Sequence, residues 1–542
     1  MSTQEHGGAS PVNPAGSGPV NPAGQGPLNP PGQGPLNPAE PVRLDLDELR
    51  GELAASPGAA RLRSLDLGRI IEGDGALDEL ARAVAEFPGS GAGAVVLAAA
   101  TPMTVAGRDL QAEATEVLGR GFGVDWVTLG PPDGQVHADE PTVAAACQAA
   151  RGAGCVVTIG SGTITDIGKA AAGNGMPLVA VQTATSVNGY ADPFSVLLRH
   201  GVKRTTATRW PDTLLIDPSI LTAAPAGLNR AGAGDLAAMF TSTADWYLAG
   251  AVGADPSYDQ AVAGLSRRHG ARLFTLAASL AGHAGAAARQ GGRSPETLAG
   301  GSGGSSSRAD TAAETRLSSR LAELARMLTL SGIAMGVAGS TAPSSGMEHA
   351  VSHLLEMAET ARGRDGSFHG TKVGVASIVA AATWAHVRRR IAGGALDLPP
   401  AIPDPDQARD RISAAFKGID PDGGMAAGCF ADYARKLAVL AAGDTDPLAG
   451  LRADWASHDA ALGELLTGPA ELASALGSAG LPVRFGALPD PVGDGEARWA
   501  VANCALLRRR FGVADLAMLL GCWEEDDVDQ VLADAAVLTG QP

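Results

Sequence analysis

GCVVTIG, Gly154 to Gly160, runs without interruption into SGTITDIGK, Ser161 to Lys169. A short apolar run bounded by glycine is the pattern of a strand buried on both faces. The residues that follow turn and then open a helix. Gly160 and Gly162 would let the backbone approach a phosphate closely, while the helix behind them points its free N–H groups and positive dipole end at that anion. The expected guest is a pyrophosphate. The spacing is not GxGxxG, and a tight turn without any ligand accounts for the same glycines. Asp166 and Lys169 have the i,i+3 spacing of a solvated ion pair.

Working outward, the same alternation repeats. Ala92–Ala100, Phe122–Gly130, Met176–Gln182 and Thr213–Asp217 read as further strands, with helical composition at 105–119 and 139–152. A βα repeat of this kind predicts an α/β domain, residues 60–222, with a mostly parallel sheet covered on both faces. Ligands in such sheets bind beyond the carboxyl ends of the strands. The loop after the fourth strand, Thr183 to Asp192, gathers the hydroxyls of Thr183, Thr185 and Ser186 with the Asn188 amide. These are neutral donors suited to a ribose or a nicotinamide amide, or to a Ser/Thr turn that needs no ligand.

Past Pro218 the chain becomes rich in Ala and Leu. Residues 235–249, 321–337, 345–359, 372–389 and 487–519 read as helices, so an all-α C-terminal domain is expected over 223–542. A Gly/Ser-rich stretch at about 291–312 reads as a flexible insertion. Three of the ten histidines fall within 21 residues: His349, His353 and His369. His349 and His353 are i,i+4 and share one helical face, and His369 comes within reach if two helices pack antiparallel. A catalytic divalent site takes three or four N/O ligands and keeps a position open. Asp235, preceded by the flexible stretch Ala231-Gly-Ala-Gly234 and placed just inside a helix, is the distant carboxylate that could complete Asp235/His349/His369. Satisfied interhelical histidines, or a His349/His353 pairing, fit the sequence too. Glu348 precedes the first histidine, so the pattern is not HExxH.

Composition narrows the function. Basic residues number 41 and acidic residues 58, a net charge of −17, and aromatics are 4% of the chain. Such a surface is a poor match for nucleic acid or an anionic membrane. Five cysteines without paired spacing predict neither a disulfide framework nor a zinc knuckle. The first residues lack the basic and apolar regions of a signal peptide, and a cytoplasmic location is expected. Residues 1–45 carry PVNPAGSG, PVNPAGQG, PLNPPGQG and PLNPAE, a period of eight expected to be disordered.

VVTIGSGTITDIGKAAA from Val156, QTATSVNGYADPF from Gln182, PDTLLIDPSILTAAPAGLNRAGAGDLAAMFTSTADW from Pro211, GSTAPSSGMEHAVSHLLEM from Gly339 and FHGTKVGVASI from Phe368 together resemble one family. It is the sn-glycerol-1-phosphate dehydrogenases, within the iron-containing alcohol dehydrogenase and dehydroquinate synthase-like superfamily. The resemblance spans roughly residues 65–525. It implies an N-terminal dinucleotide-binding domain, a helical C-terminal domain and an active site in the cleft between them. By similarity, Asp235, His349 and His369 would hold one divalent ion, zinc or else nickel or iron. Gly160, Ser161, Gly162, Thr163, Ile164 and Asp166, with Thr183, Ala184, Thr185, Ser186 and Asp192, would bind NAD or NADP. His353, Asn188 and Asp235 would be the catalytic set, with His353 contacting substrate.

The implied reaction is hydride transfer between NAD(P)H and a small ketone or secondary alcohol, dihydroxyacetone phosphate and sn-glycerol 1-phosphate above all. Another polyol or alcohol dehydrogenase and a sugar-phosphate cyclase are the alternatives, with a catalytically silent scaffold last. The partner is thus a small, phosphorylated molecule; nucleic acid and membrane insertion are not expected, and a homo-oligomer is left open. Three positions depart from the family. Asn188 stands where it carries Asp, Asp192 where it usually has Ser, and Thr101-Pro-Met-Thr104 where many relatives have an Asp that favours NAD. Lys203, Arg204 and Lys372 are candidates for a phosphate subsite.

Overall fold

The computed structural model describes residues 42–538 except 88, 90, 92, 132–134, 174, 269, 281–307 and 443–445. The repeats up to residue 41 and the Gly/Ser stretch up to residue 307 therefore lie outside the described residues. Two ends of those expected segments are ordered. Val42 is buried and its N–H donates to Glu323 at 3.3 Å. Residues 308–312 begin the long helix Arg308–Ala338.

Ten strands are formed among the described residues: β1 (Arg69–Glu72), β2 (Ala94–Ala99), β3 (Thr104–Val105), β4 (Arg108–Asp109), β5 (Val124–Leu129), β6 (Cys155–Gly160), β7 (Leu178–Gln182), β8 (Phe194–Arg199), β9 (Val202–Ala207) and β10 (Thr213–Ile216). Six make one all-parallel sheet in the order β1-β10-β7-β6-β2-β5. Side chains on a strand alternate between faces, and here both faces are apolar. Val96, Val157 and Val179 pack on one side, whereas Val95, Val156 and Leu178 pack on the other. That double burial is why these strands read as continuous apolar runs. From β2 the chain passes to β5 on one side, and from β6 to β7 on the other. The carboxyl ends of β2 and β6 therefore flank the point where the winding reverses, the place where open α/β sheets bind ligands.

Among the described residues every strand lies before residue 217; helices follow, packed in a core that includes Val42, Leu49 and Leu67 from the N-terminal segment. One helix, Ala312–Ala338, has the length and mean hydropathy (1.4) of a membrane span, but 94% of its most apolar window is buried inside the fold. It is a core helix. All five cysteines are free.

Several elements differ from the expectations. The helix expected at 105–119 starts only at Leu110, because Ala106 and Gly107 both take positive φ and turn the chain into the β3–β4 hairpin. The helix expected at 235–249 is two, Ala226–Leu236 and Met239–Ala251. Residues 487–519 break into Asp494–Asn503, a 3₁₀ turn at Cys504–Leu506 and Val513–Leu519. The antiparallel β8–β9 hairpin was not anticipated.

Candidate active site

A cavity of about 800 Å³ opens between the carboxyl edge of the sheet and the helical half. Gly160, Ser161, Gly162, Thr163, Ile164 and Asp166 line one end; Asp235, His349, His353 and His369 line the other; Thr183, Ser186 and Asn188 lie between. Helix Gly162–Ala172 presents its N-terminus to this space. The glycines have a further reason to be glycine. A methyl group on Gly160 would lie 2.5 Å from Ile164, and one on Gly162 would lie 2.3 Å from Val187.

The two expected cofactor residues that do not line the cavity are Ala184 and Thr185, both buried. Thr185 holds Asn229 instead: its N–H donates to Asn229 Oδ1 at 2.9 Å and its hydroxyl to Asn229 O at 3.1 Å. Nor are Asp166 and Lys169 a solvated pair. Lys169 is fully buried, 3.2 Å from Asp166 and 3.1 Å from Asp192, and donates to Gly189 O at 2.6 Å. Burial pushes Asp192 up to about 6 against the pull of the Lys169 ammonium. Asp166 and Asp192 in turn accept from the Val196 and Phe194 amides, at 2.9 and 2.7 Å. This trio pins the start of β8 onto helix 162–172.

At the other end, three ligand-type atoms converge. Asp235 Oδ1 lies 3.4 Å from His349 Nε2 and 3.7 Å from His369 Nε2. The three atoms lie within 4.8 Å of one another, as ligands of one ion must. Asp235 is 1% exposed and Asn188 N donates to its Oδ2 at 2.9 Å, yet its Oδ1 is buried without a hydrogen-bond partner. An unsatisfied buried acceptor costs about 1–3 kcal/mol, more when charged, and a cation bound there would remove that cost. The far nitrogens of the histidines are oriented as in metal sites: His369 Nδ1 is 2.7 Å from Glu356 and His349 Nδ1 is 3.1 Å from Glu348. The residues present fit a divalent ion.

Helix packing brings the trio together. Ala231-Gly-Ala-Gly234 is not a flexible lead into a helix; it is the body of helix Ala226–Leu236, with Asp235 near its C-terminal end. This helix crosses helix His369–Ala392 at glycine: a methyl on Gly234 would lie 2.2 Å from Gly370 O, and one on Gly370 2.1 Å from Ala231 O. Both obstacles are backbone and cannot rotate away. Gly370→Ala should therefore cost about 1–3 kcal/mol of stability and weaken metal uptake with it, because it separates Asp235 from His369. Thermal melts paired with metal titration check this; unchanged uptake would show that the crossing does not set the ligand spacing.

His353 shares a face of helix Met347–Ala361 with His349, their ring centroids 6.1 Å apart, and is 5.5 Å from the His369 ring. Its surroundings are not ordinary. Burial holds its pKa well below the usual histidine range, with His369, Lys203 and Arg508 adding to the effect, so it is neutral at neutral pH. Sequence reasoning missed Glu356, whose oxygens meet His369 Nδ1 at 2.7 Å and Lys203 Nζ at 2.5 Å. The signal was available: Glu356 is i+7 from His349 and i+3 from His353, on the same helical face. Of the candidate phosphate donors, Lys203 and Lys372 line the cavity, each against carboxylates. Arg204 alternates to the opposite face of β9 and pairs with Asp432.

The profile of the iron-containing alcohol dehydrogenase family matches residues 71–225. Glycerol-1-phosphate dehydrogenase [NAD(P)+] of Bacillus velezensis is 30% identical over 280 residues, covering 51% of this chain and 59% of that enzyme. A second relative of that name, from Hyperthermus butylicus, is 27% identical over 334 residues, 60% of this chain and 81% of its own. With the relative of the same name from Bacillus subtilis the alignment spans only half of that enzyme's length, so the chain covers about half to three fifths of these bacterial relatives. A crystal structure described as a probable glycerol dehydrogenase from Sinorhizobium meliloti shares the fold, with TM-score 0.51, 16% identity, and coverage of 88% of this chain and 99% of that one.

Proposed function

We propose that the chain is a metal-dependent NAD(P)-linked oxidoreductase acting on a small polyol or ketone, with dihydroxyacetone phosphate and sn-glycerol 1-phosphate as its substrate pair. The observation that carries this reading is the partnerless Asp235 Oδ1 facing two histidine Nε2 atoms beside a cavity that reaches the glycine turn. The printed names of the relatives support the substrate. The bound groups would supply Lewis-acid polarisation of the substrate oxygen and the hydride itself.

The chain's own residues do the rest. Asp235, His349 and His369 would hold the ion; zinc, nickel and iron all suit such an N/O set. The N-terminus of helix Gly162–Ala172 faces the end where a dinucleotide diphosphate would lie. Thr183 and Ser186 offer hydroxyls along the path between the two ends. Asn188 is fixed by its Nδ2 donating to Ser331 Oγ at 3.1 Å, which leaves the amide oxygen as an acceptor for a substrate hydroxyl. A neutral His353 can take a proton from the alcohol or pass one on. Asp192 belongs to the buried Lys169 trio and braces this end of the cavity.

The test is a screen of metal-loaded protein with NAD(H) and NADP(H) against dihydroxyacetone phosphate, dihydroxyacetone, simple ketones and sugar phosphates. Net oxidation of NAD(P)H by dihydroxyacetone phosphate is the expected result; phosphate release with no net cofactor turnover would instead identify a cyclase. His353→Ala should keep most of the metal and lower kcat by about 10²–10⁴-fold. Full metal occupancy with unchanged kinetics would remove His353 from the mechanism.

A further inference from the structure

The β8–β9 hairpin touches both ends of the site. Its first strand is fixed to helix 162–172, where Asp166 accepts from Val196 N and Lys169 donates to Phe194 O. Its second strand ends the span on a different structure. Alternation along β9 sends Arg204 to Asp432 on helix Gly424–Leu440 and sends Lys203 into the cavity. There Lys203 Nζ meets Glu356 Oε2 at 2.5 Å, while Glu356 Oε1 meets His369 Nδ1 at 2.7 Å and Ser352 Oγ at 3.3 Å. The two carboxylate oxygens thus face opposite ways, one to the hairpin and one to the ligand imidazole. Lys372 approaches Glu356 only at 3.6 Å and is committed to Glu359.

We propose that Lys203 is a positioning residue of the metal centre: through Glu356 it fixes the rotation of His369, so that the affinity for the ion depends on the hairpin that also braces the cofactor end. The inference rests on the metal reading above. Removing the ammonium leaves Glu356 Oε2 unheld, and the carboxylate can then rotate and carry Oε1 off His369 Nδ1 toward Lys372, which stands 3.6 Å from that same oxygen. The imidazole loses its fixed tautomer and orientation, the two properties that a carboxylate partner gives a metal-ligating histidine. Lys203 is also a candidate for contact with a substrate phosphate, and the two roles separate in measurement. A phosphate contact affects KM without touching metal affinity in the absence of substrate.

The experiment measures Zn²⁺ affinity of the full chain by chelator competition, with no substrate or dinucleotide present, for wild type, Lys203→Met and Lys203→Arg. Lys203 is partly exposed, and circular dichroism confirms that the variants fold. The expected result is a loss of about tenfold for Lys203→Met and recovery to within about threefold for Lys203→Arg, which restores the charge-assisted contact. Wild-type uptake with unchanged affinity in Lys203→Met overturns the inference and leaves the metal reading standing. A wild-type chain that takes up no Zn²⁺ overturns the metal reading and the inference with it.

Discussion

Asp235→Asn is expected to abolish stoichiometric uptake of a divalent ion and to lower turnover on the order of a thousandfold, the loss of several kcal/mol of charge stabilisation, while leaving the fold intact. The two halves of this prediction come from the two oxygens. Oδ2 accepts from Asn188 N, and an asparagine carbonyl oxygen can keep that bond. Oδ1 is buried with no hydrogen-bond partner, its neighbours being the two imidazole Nε2 atoms at 3.4 and 3.7 Å, so an amide nitrogen there can donate to an imidazole nitrogen instead of leaving a buried charge without a hydrogen bond. Stability should therefore hold or rise as metal binding fails. Metal analysis after dialysis, steady-state kinetics and a thermal melt make the comparison. A variant that unfolds yet still carries metal when refolded would assign Asp235 a purely structural role.

Lys169→Met should produce the largest loss of stability outside the helical core. It removes the ammonium that stands between Asp166 and Asp192 and leaves the buried Asp192 facing the part-buried Asp166 with no counter-charge between them. Breaking a buried ion pair by deleting one partner costs about 3–5 kcal/mol. The effect has a pH signature. Asp192 titrates at about 6, above its ordinary 3.8, because burial outweighs Lys169, and Asp166 is raised for the same reason. A carboxyl whose pKa is higher in the folded state binds more protons when folded, so its contribution declines as pH rises through that window. Without the ammonium both carboxyls move further up. The deficit of Lys169→Met, read from urea midpoints, should accordingly be smaller at about pH 5 than at about pH 8. Equal deficits at both pH values would mean that the trio is not what stabilises this end of the sheet.

Much of this was legible in the sequence because its signals are local. The inner strands announce themselves as apolar runs, since both faces of the sheet are covered. The i,i+4 spacing of His349 and His353 already places them on one helical face, and His369 is soon enough after them to return. What stayed hidden depends on distance along the chain or on half-burial. β9 reads Val202-Lys-Arg-Thr-Thr-Ala207, with Lys203 and Arg204 paired to residues 153 and 228 positions away; nothing near it marks a strand. The Ala231–Gly234 glycines suggested flexibility, and only the crossing with Gly370 shows that they allow two helices to touch. Thr185 carried the right chemistry for a ribose but spends it on Asn229, 44 residues on.

Anomalous diffraction from crystals of the metal-loaded chain, recorded at the absorption edge of the ion supplied, would locate the ion directly. A single peak is expected within bonding distance of Asp235 Oδ1, His349 Nε2 and His369 Nε2. A peak centred on His353, Glu356 and His369, the other group of ligand atoms close enough to share an ion, would contradict it, as would metal-loaded crystals with no peak in the cavity.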